Sequence, residues 1–385
     1  MINVDYKAKA MNLVESIEES GIEVVEHMLN TTEDSPFHRE QNVWVHTRMV
    51  FDEYCSMVET WDRHTFMGAI VCIFHDFGKP MSEESKVRTD GTTYRSYKGH
   101  EVISGAWWLD FWSNNYFNLK DFLPNPIDAY NVMVMIAYHL PYQLGDRVNE
   151  LVSHINHFDL QDTFSNVLRA DGRGRISDEG EKNISNSDAW IATHITNNDV
   201  KPDISIINDV YIMTGVPASG KSTAVKNIDD AYVFSFDNIR EESFPEFNTY
   251  SEKFKAFNEY DFKNDKTLHE KWGVSRKIDN QINFLNQAIV ESYKNCTGNF
   301  VVDNTSVTVK SRRTIKHLVK SVDKDATFGS VFLMVSIDKA IKNNELRSPY
   351  KNVPENVIRS MYYRTTPPIL GEFSMIMLVD GMYDE

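Results

Sequence analysis

Cysteine is scarce in this chain. Cys55, Cys72 and Cys296 are the only three among 385 residues. An odd number at such wide spacing excludes a disulfide framework and a cysteine zinc site, and it fits three buried thiols in a reducing cytosol. No apolar run approaches the roughly 18 residues that a membrane span requires, so no membrane partner is expected. The opening stretch, MINVDYKAKAMNLVESIEES, is too polar for a signal peptide, which leaves the cytoplasm as the expected compartment. Positive charge is in deficit. The formal net charge is −16, of which residues 1–208 carry −15 and residues 209–385 carry −1. That balance excludes a protein that coats nucleic acid through bulk charge, but not recognition of a single strand end. Internal repeats and long low-complexity tracts are also absent. With 41% hydrophobic and 25% charged residues, a disordered chain is excluded.

What is present falls into two parts. The length exceeds one ordinary domain, and the pattern changes character near 180–208. Before that point, apolar residues recur at three- and four-residue spacing in VWVHTRMVFDEYCSMV, FMGAIVCIFHDFG and AYNVMVMIAYHL. This spacing predicts an all-α domain over 1–200. The stretch TNNDVKPDISIIND is polar, holds Pro202 and reads as a connector, with 201–208 as the linker. After it, short β-rich runs alternate with helical stretches: VYIMTG (210–215), YVFSF (232–236), NFVVDN (299–304), SVFLMVS (330–336) and SMIMLVD (374–380). Such alternation predicts an α/β domain over 209–385, a parallel sheet covered by helices on both faces.

The first of these runs leads into Gly215-Val-Pro-Ala-Ser219-Gly220-Lys221-Ser222-Thr223 and then a helix. This is the phosphate-binding pattern G-x-x-x-x-G-K-S in its strand–loop–helix setting. Backbone amides of such a loop, with the helix N-terminus behind them, suit phosphate oxygens. Lys221 can reach the β- and γ-phosphates of ATP or another nucleoside triphosphate, and Ser222 can ligate Mg²⁺. The second run leads into Asp237-Asn238-Ile239-Arg240. In a doubly wound sheet, an acid at that strand end faces the same crevice. Asp237 could take the proton from an attacking hydroxyl, and Arg240 could clamp an acceptor phosphate. A helix-capping aspartate beside a solvated arginine is the plainer alternative.

Gly215–Thr223, then Ser235-Phe-Asp237-Asn-Ile-Arg240, then Val302-Asp303-Asn304-Thr305 together resemble the P-loop polynucleotide kinase family. The resemblance implies that Asp237 is the general base for a 5′-OH. It implies that Arg240 holds the phosphate on the 3′ side of the terminal nucleotide. Asn343-Asn-Glu-Leu-Arg347, followed by Val353-Pro-Glu-Asn-Val-Ile, is similar to the helical lid of these kinases. Arg347 would then contact ATP phosphates, and Lys351 sits near the place of a second lid arginine. Asp303 and the basic stretch Lys310, Arg312, Arg313, Lys316 and Lys320 are candidates for guiding the strand; a solvated helix face is the alternative. Residues 244–272, rich in Phe, Tyr, Trp and Lys, could stack on bases or form a local core.

The first half holds a second constellation: His46, His75-Asp76, His100, His139 and Asp171. Imidazoles and carboxylates gathered from separate helices can hold one or two divalent metals, and a bridged pair can activate water. Neighbours on a helix point in different directions, so Asp76 could bridge two ions. The order of these residues, with Gly78-Lys79-Pro80 after the pair and Arg169-Ala-Asp171-Gly-Arg173-Gly-Arg175 later, resembles the HD phosphohydrolase superfamily. The likeness is strongest to the HD domains of bacterial CCA-adding tRNA nucleotidyltransferases. It implies His46, His75, Asp76 and Asp171 at one metal, and His100 and His139 at a second, with Asp76 between. It places Lys79, and Arg173 or Arg175, near substrate phosphate. Mn²⁺, Co²⁺, Ni²⁺, Fe²⁺ and Zn²⁺ all accept such ligands. His27, His38, His64, His154, His157 and His194 fall outside the pattern and read as structural or exposed.

Joined, the two halves resemble the HD-Pnk family. The expectation is a bifunctional enzyme that heals RNA or DNA ends, with a 5′-OH kinase and a 2′,3′-cyclic phosphodiesterase and 2′(3′)-phosphatase. No ligase signature is visible, so sealing would need a separate RNA ligase. The alternative is nucleotide metabolism: an HD nucleotide phosphohydrolase fused to a nucleoside or nucleotide kinase.

Overall fold

The computed structural model describes residues 5–33, 38–177, 180–196, 209–243, 246–259, 266–275 and 280–381. The connector expected at 201–208 lies outside the described residues. The protein is mixed α/β and separates into two compact units, Met1–Pro202 with Ile369–Gly371, and Asp203–Pro368 with Glu372–Glu385. No helix among the described residues is long and apolar enough to cross a membrane.

Helices dominate the first unit. The helix Arg63–Phe74 is its axis, with every residue from Phe66 to Phe74 buried. A helix apolar on all sides must be covered on all sides, and Val43–Met57, Pro126–Ala137 and Gln161–Arg173 pack around it. Its start is fixed by a reciprocal cap. Asp62 Oδ1 accepts from Thr65 N at 2.8 Å, and Asp62 N donates to Thr65 Oγ1 at 2.8 Å, so two of the orphan amides find partners. Gly68 lets the Tyr54 ring lie against the helix, where any side chain would collide with it. The helix ends at Phe74, so His75 and Asp76 lie in the turn that follows rather than within it.

The all-α expectation for this half needs correction. Two strands, β1 (Glu84–Val87) and β2 (Thr93–Ser96), form an antiparallel hairpin with Glu84 opposite Ser96 and Val87 opposite Thr93. Asp90-Gly91 turns the chain, with Gly91 at φ +83°, a conformation that glycine adopts without strain. These strands bury no apolar face, so their sequence carries no alternation to betray them.

The second unit holds β3 (Val210–Thr214), β4 (Ala231–Phe234), β5 (Asn299–Val302), β6 (Phe328–Met334) and β7 (Met375–Asp380). They form one parallel sheet in the order β4-β5-β3-β6-β7. All seven residues of β6 are buried, as expected where helices cover both faces. Successive residues feed opposite faces: Ile212 and Val302 join the larger core with Phe234, Phe284 and Phe300, whereas Met213 and Val301 join Ala224, Val225 and Leu333. From β3 the chain runs out to β4, returns to β5 beside β3, and then crosses to β6 on the other flank. That reversal opens a crevice at the carboxyl ends of the strands.

Two further expectations fail here. Arg312, on the helix Val309–Lys320, is fully buried. Its Nε and Nη2 donate to the two carboxylate oxygens of Glu372 at 2.8 and 2.9 Å, and Nη1 donates to the carbonyls of Ser306 and Thr366. A guanidinium so committed braces the fold and does not reach a substrate. Of the cysteines, only Cys72 is buried; Cys55 and Cys296 are partly exposed.

Candidate functional site

In the first unit, six side chains from five segments converge. His46 stands on the helix Val43–Met57, and Asp171 on Gln161–Arg173. His75 and Asp76 follow the axial helix, and His139 lies just beyond Pro126–Ala137. His100 opens the helix His100–Ser113, which the chain enters through Gly99 at φ +86°. The four histidines and Asp76 are buried.

Asp76 lies at the centre. Its Oδ2 is 3.1 Å from His75 Nε2 and 3.5 Å from His46 Nε2, and its Oδ1 is 3.1 Å from His100 Nε2. His46 Nε2 is also 3.4 Å from Asp171 Oδ1, and His100 Nε2 lies 3.4 Å from His139 Nε2. The ring orientations follow one rule. Nδ1 of His75, His100 and His139 donates to the carbonyl three residues earlier, Cys72, Tyr97 and Ile136, at 2.8, 2.7 and 2.8 Å. Each bond fixes the tautomer and turns Nε2 inward as a lone-pair donor. His75 Nε2 is buried yet makes no hydrogen bond.

An orphaned inward nitrogen among carboxylate oxygens fits a divalent cation. Among the described residues, three groups of donor atoms lie within 4.8 Å of one another: His46, His75 and Asp171; Asp76, His100 and His139; and, toward the wall, His38, Glu40 and His46. The charges agree with this fit. Burial would raise the carboxyl of Asp76, but His75 and Lys79 hold it well below the usual range; Arg175 and His46 do the same for Asp171. Burial opposes charge on His46, yet Asp171 and Glu40 raise it to about 9. His139 goes the other way: burial, with His100 and His75 beside it, pushes it down to about 3, so that ring offers a lone pair and not a charge.

The wider shell departs from the sequence reading. Lys79 does line the cavity, of about 540 Å³, but its ammonium is held 2.5 Å from Glu33 Oε1 and 2.8 Å from Asp76 Oδ2. It clamps Asp76 and is committed there. Arg175 lines the cavity and grips Asp171 Oδ1 at 2.5 Å. Arg173 turns away, with Nη1 3.8 Å from Glu53 and 3.4 Å from Met57 Sδ, and it is not among the lining residues. His38, set aside on sequence, sits in the wall 3.4 Å from Glu40 Oε2. Glu40 Oε1 in turn accepts from Ile176 N at 2.7 Å and lies 3.7 Å from His46 Nδ1. Glu33, His38 and Glu40 stand outside any helix, where no periodicity marks them.

In the second unit, a cavity of about 610 Å³ lies over the crevice and is lined by Gly220, Lys221, Ser222, Thr223, Asp237, Arg240, Asp303, Arg347 and Lys351. The loop after β3 bends through Ala218 at φ +61° and Gly220 at φ +95°. A side chain at Gly215 would press on Leu333 and the Ser219 hydroxyl. Ser219 itself is buried beneath the loop. Lys221 Nζ donates to the carbonyls of Gly215 and Val216 at 3.0 and 2.7 Å. Desolvation, partly offset by Asp303 and Asp237, pushes this ammonium down to about 8. Ser222 Oγ donates to Asp303 Oδ2 at 3.3 Å.

Asp237 is the second residue of the helix Phe236–Ser243, and its Oδ1 accepts from Arg240 Nη1 at 2.8 Å. The Arg240 guanidinium lies over the rings of Phe254 and Phe257, at 5.3 and 5.6 Å. Arg347 follows the helix Ile337–Glu345, and Lys351 Nζ is 3.4 Å from Glu241. Arg313 is not among the lining residues. The aromatic stretch divides. Tyr250 and Phe254 line the cavity as a stacked pair 5.9 Å apart, whereas Phe257 is core and Trp272 packs against it.

No family model matches the chain, and no curated protein matches it.

Proposed function

We propose that the protein is an RNA end-healing enzyme of the HD-Pnk type. Its second unit is an ATP-dependent 5′-OH polynucleotide kinase. Its first is a metal-dependent phosphohydrolase for 2′,3′-cyclic and 2′(3′)-phosphate ends. A separate ligase then seals the healed ends. The observation that carries the reading is the Asp237–Arg240 pair at 2.8 Å in the same cavity as Lys221. A base and an anion clamp beside a phosphate loop suit an acceptor that brings its own phosphate, as a polynucleotide does and a nucleoside does not.

In the kinase unit, an Asp237 oxygen takes the proton as the 5′-oxygen attacks the γ-phosphorus in line. The bond to the β-phosphate oxygen breaks, and ADP leaves. Lys221 exchanges two loop carbonyls for phosphate oxygens, and Arg347 approaches from the lid to stabilise the developing charge. Ser222 and Asp303 would hold Mg²⁺.

In the phosphohydrolase unit, His46, His75, Asp76 and Asp171 would hold one divalent ion, and Asp76, His100 and His139 a second. When bound, such ions supply Lewis acidity toward phosphoryl oxygens and lower the pKa of water. The chain's own contribution is rigidity. Backbone carbonyls hold three of the four imidazoles, Lys79, itself held by Glu33, holds Asp76, and Arg175 holds Asp171.

The decisive experiment uses one RNA oligonucleotide with a 5′-OH and a 2′,3′-cyclic phosphate, incubated with ATP, Mg²⁺ and Mn²⁺ and resolved by mass. Gain of a 5′-phosphate together with opening and loss of the cyclic end is expected. Turnover of mononucleotides without change to the oligonucleotide would overturn the proposal.

A further inference from the structure

The hairpin β1–β2 carries a feature that neither catalytic cluster uses. Residues 84–98 hold Lys86, Arg88, Arg95 and Lys98 against Glu84 and Asp90. This is a cationic island in a half whose net charge is −15. Its strands bury no core, and Val87 at the tip is 69% exposed. The cations therefore do not serve packing. Arg88, Arg95 and Lys98 are exposed, and Arg88, Tyr94, Arg95, Ser96, Tyr97 and Lys98 all line the cavity that holds the histidine–aspartate cluster. The Arg88 guanidinium lies 5.0 Å over the Tyr94 ring, Arg95 pairs with Glu83 at 3.4 Å, and Lys86 pairs with Glu84 at 3.2 Å and donates to Ser96 Oγ at 3.0 Å. Such exposed pairs contribute little and give way readily.

The root of the hairpin is fixed to the site. Tyr97 Oη donates to the Thr32 carbonyl at 2.8 Å, and the Tyr97 carbonyl is the acceptor that orients His100. The chain leaves the cluster at Lys79 and returns to it at His100, so the hairpin overhangs the cavity from two anchored ends.

From these observations we infer that the hairpin is a clamp for single-stranded nucleic acid. It holds the phosphates and bases on the 5′ side of the terminal phosphate that the cluster hydrolyses. Guanidinium and ammonium groups meet backbone phosphates, and Tyr94 offers a face on which a base can stack. A small phosphomonoester would need only the cluster. The clamp therefore makes an oligonucleotide the preferred substrate of this unit. The inference rests on the proposed phosphohydrolase reading, but its key readout does not.

The test uses the full chain as wild type, as Arg88→Ala/Arg95→Ala and as Arg88→Lys/Arg95→Lys. Binding of a fluorescent, 5′-phosphorylated, 3′-phosphorylated RNA 12-mer is followed by anisotropy in EDTA, so that no turnover occurs. Removing two phosphate contacts should lower the slope of log Kd against log salt by about 1.4. It should also weaken binding about tenfold, and the lysine variant should retain the slope. In the presence of Mn²⁺, the ratio of kcat/KM for the cyclic-ended 12-mer to that for a 2′,3′-cyclic mononucleotide should fall about tenfold through KM. If wild type and the alanine variant bind with equal slope and affinity, or wild type does not bind, the clamp is wrong. If the slope changes but neither substrate is hydrolysed by wild type, the clamp stands and the phosphohydrolase reading fails.

Discussion

In the first unit the clustered histidines and Asp76 are buried and the side chains already have partners, three of the four imidazoles a carbonyl, His46 the Glu40 carboxylate, and each central carboxylate a cation. In the second, Ser222 and Thr223 are exposed, Lys221 bonds to its own loop, and Leu346 in the lid segment is 85% exposed. On the proposed reading, the contrast follows from what each site must do. Carboxylates packed this densely repel one another and lose hydration, so they persist only if the protein supplies countercharge before any ligand arrives. A nucleotide site gains by the reverse arrangement. On the proposed kinase reading, phosphate oxygens replace the two loop carbonyls that Lys221 now holds.

The harshest way to break this comparison is to remove its central carboxylate. Asp76→Ala takes the donor shared by both histidine sets, and with it several kcal/mol of charge stabilisation. Hydrolysis of cyclic-ended RNA should fall by about 10³-fold or more, while 5′-phosphorylation by the same preparation stays within about twofold. Loss of both activities would mean that the sites are not separable.

Next in size is Asp237→Asn. General-base removal costs about 10² to 10⁴-fold in kinase turnover, with ATP affinity, read by titration calorimetry, unchanged. Normal turnover would strip Asp237 of its role and leave it as a helix-terminal partner of Arg240.

A subtler cut is Glu40→Gln, which keeps the shape of the wall and removes the charge behind His46. Outer-shell losses of this kind weaken metal affinity by about 10- to 100-fold. Mn²⁺ titration should show that shift without loss of helix content. Glu40 belongs to the first unit, so nucleotide affinity should not move.

The smallest effect concerns acid. Burial, reinforced by His157, pushes His154 down to about 3, and its Nε2 donates to Asn131 Oδ1 at 3.1 Å. In the unfolded chain the same ring titrates near 6.5. Between those values the unfolded state binds the extra proton, so stability is complete above about 6.5 and is lost as pH falls toward 3. From pH 7 to pH 5 this one group should cost about 2 kcal/mol. Urea midpoints at the two pH values check this, and His154→Gln should show a correspondingly smaller drop.

The five strands of the sheet were legible because each is a short apolar run closed by polar residues; burial on both faces produces such a run in β6, and the edge strand β4 keeps it although Tyr232 and Val233 are exposed. The hairpin was not legible, since four-residue strands with solvent on both sides need no apolar alternation. At the sites, unlike residues with narrow chemical uses stood out: His75-Asp76, Lys221, Asp237. Glu33 and Glu40 did not, because surface glutamates are common and only the fold brings these two inward. Arg312 was misread for a related reason. On a helix with Lys310, Arg313 and Lys316 it looks like one more solvated cation, and its partner Glu372 is 60 residues away.

That distant partner also sets an order of events during synthesis. The helix Val309–Lys320 leaves the ribosome well before Glu372 does, and until then the guanidinium of Arg312 has no carboxylate to meet. An unmatched charge cannot enter an apolar interior at bearable free-energy cost. The ion pair thus makes the burial of that helix depend on the segment that leads into β7.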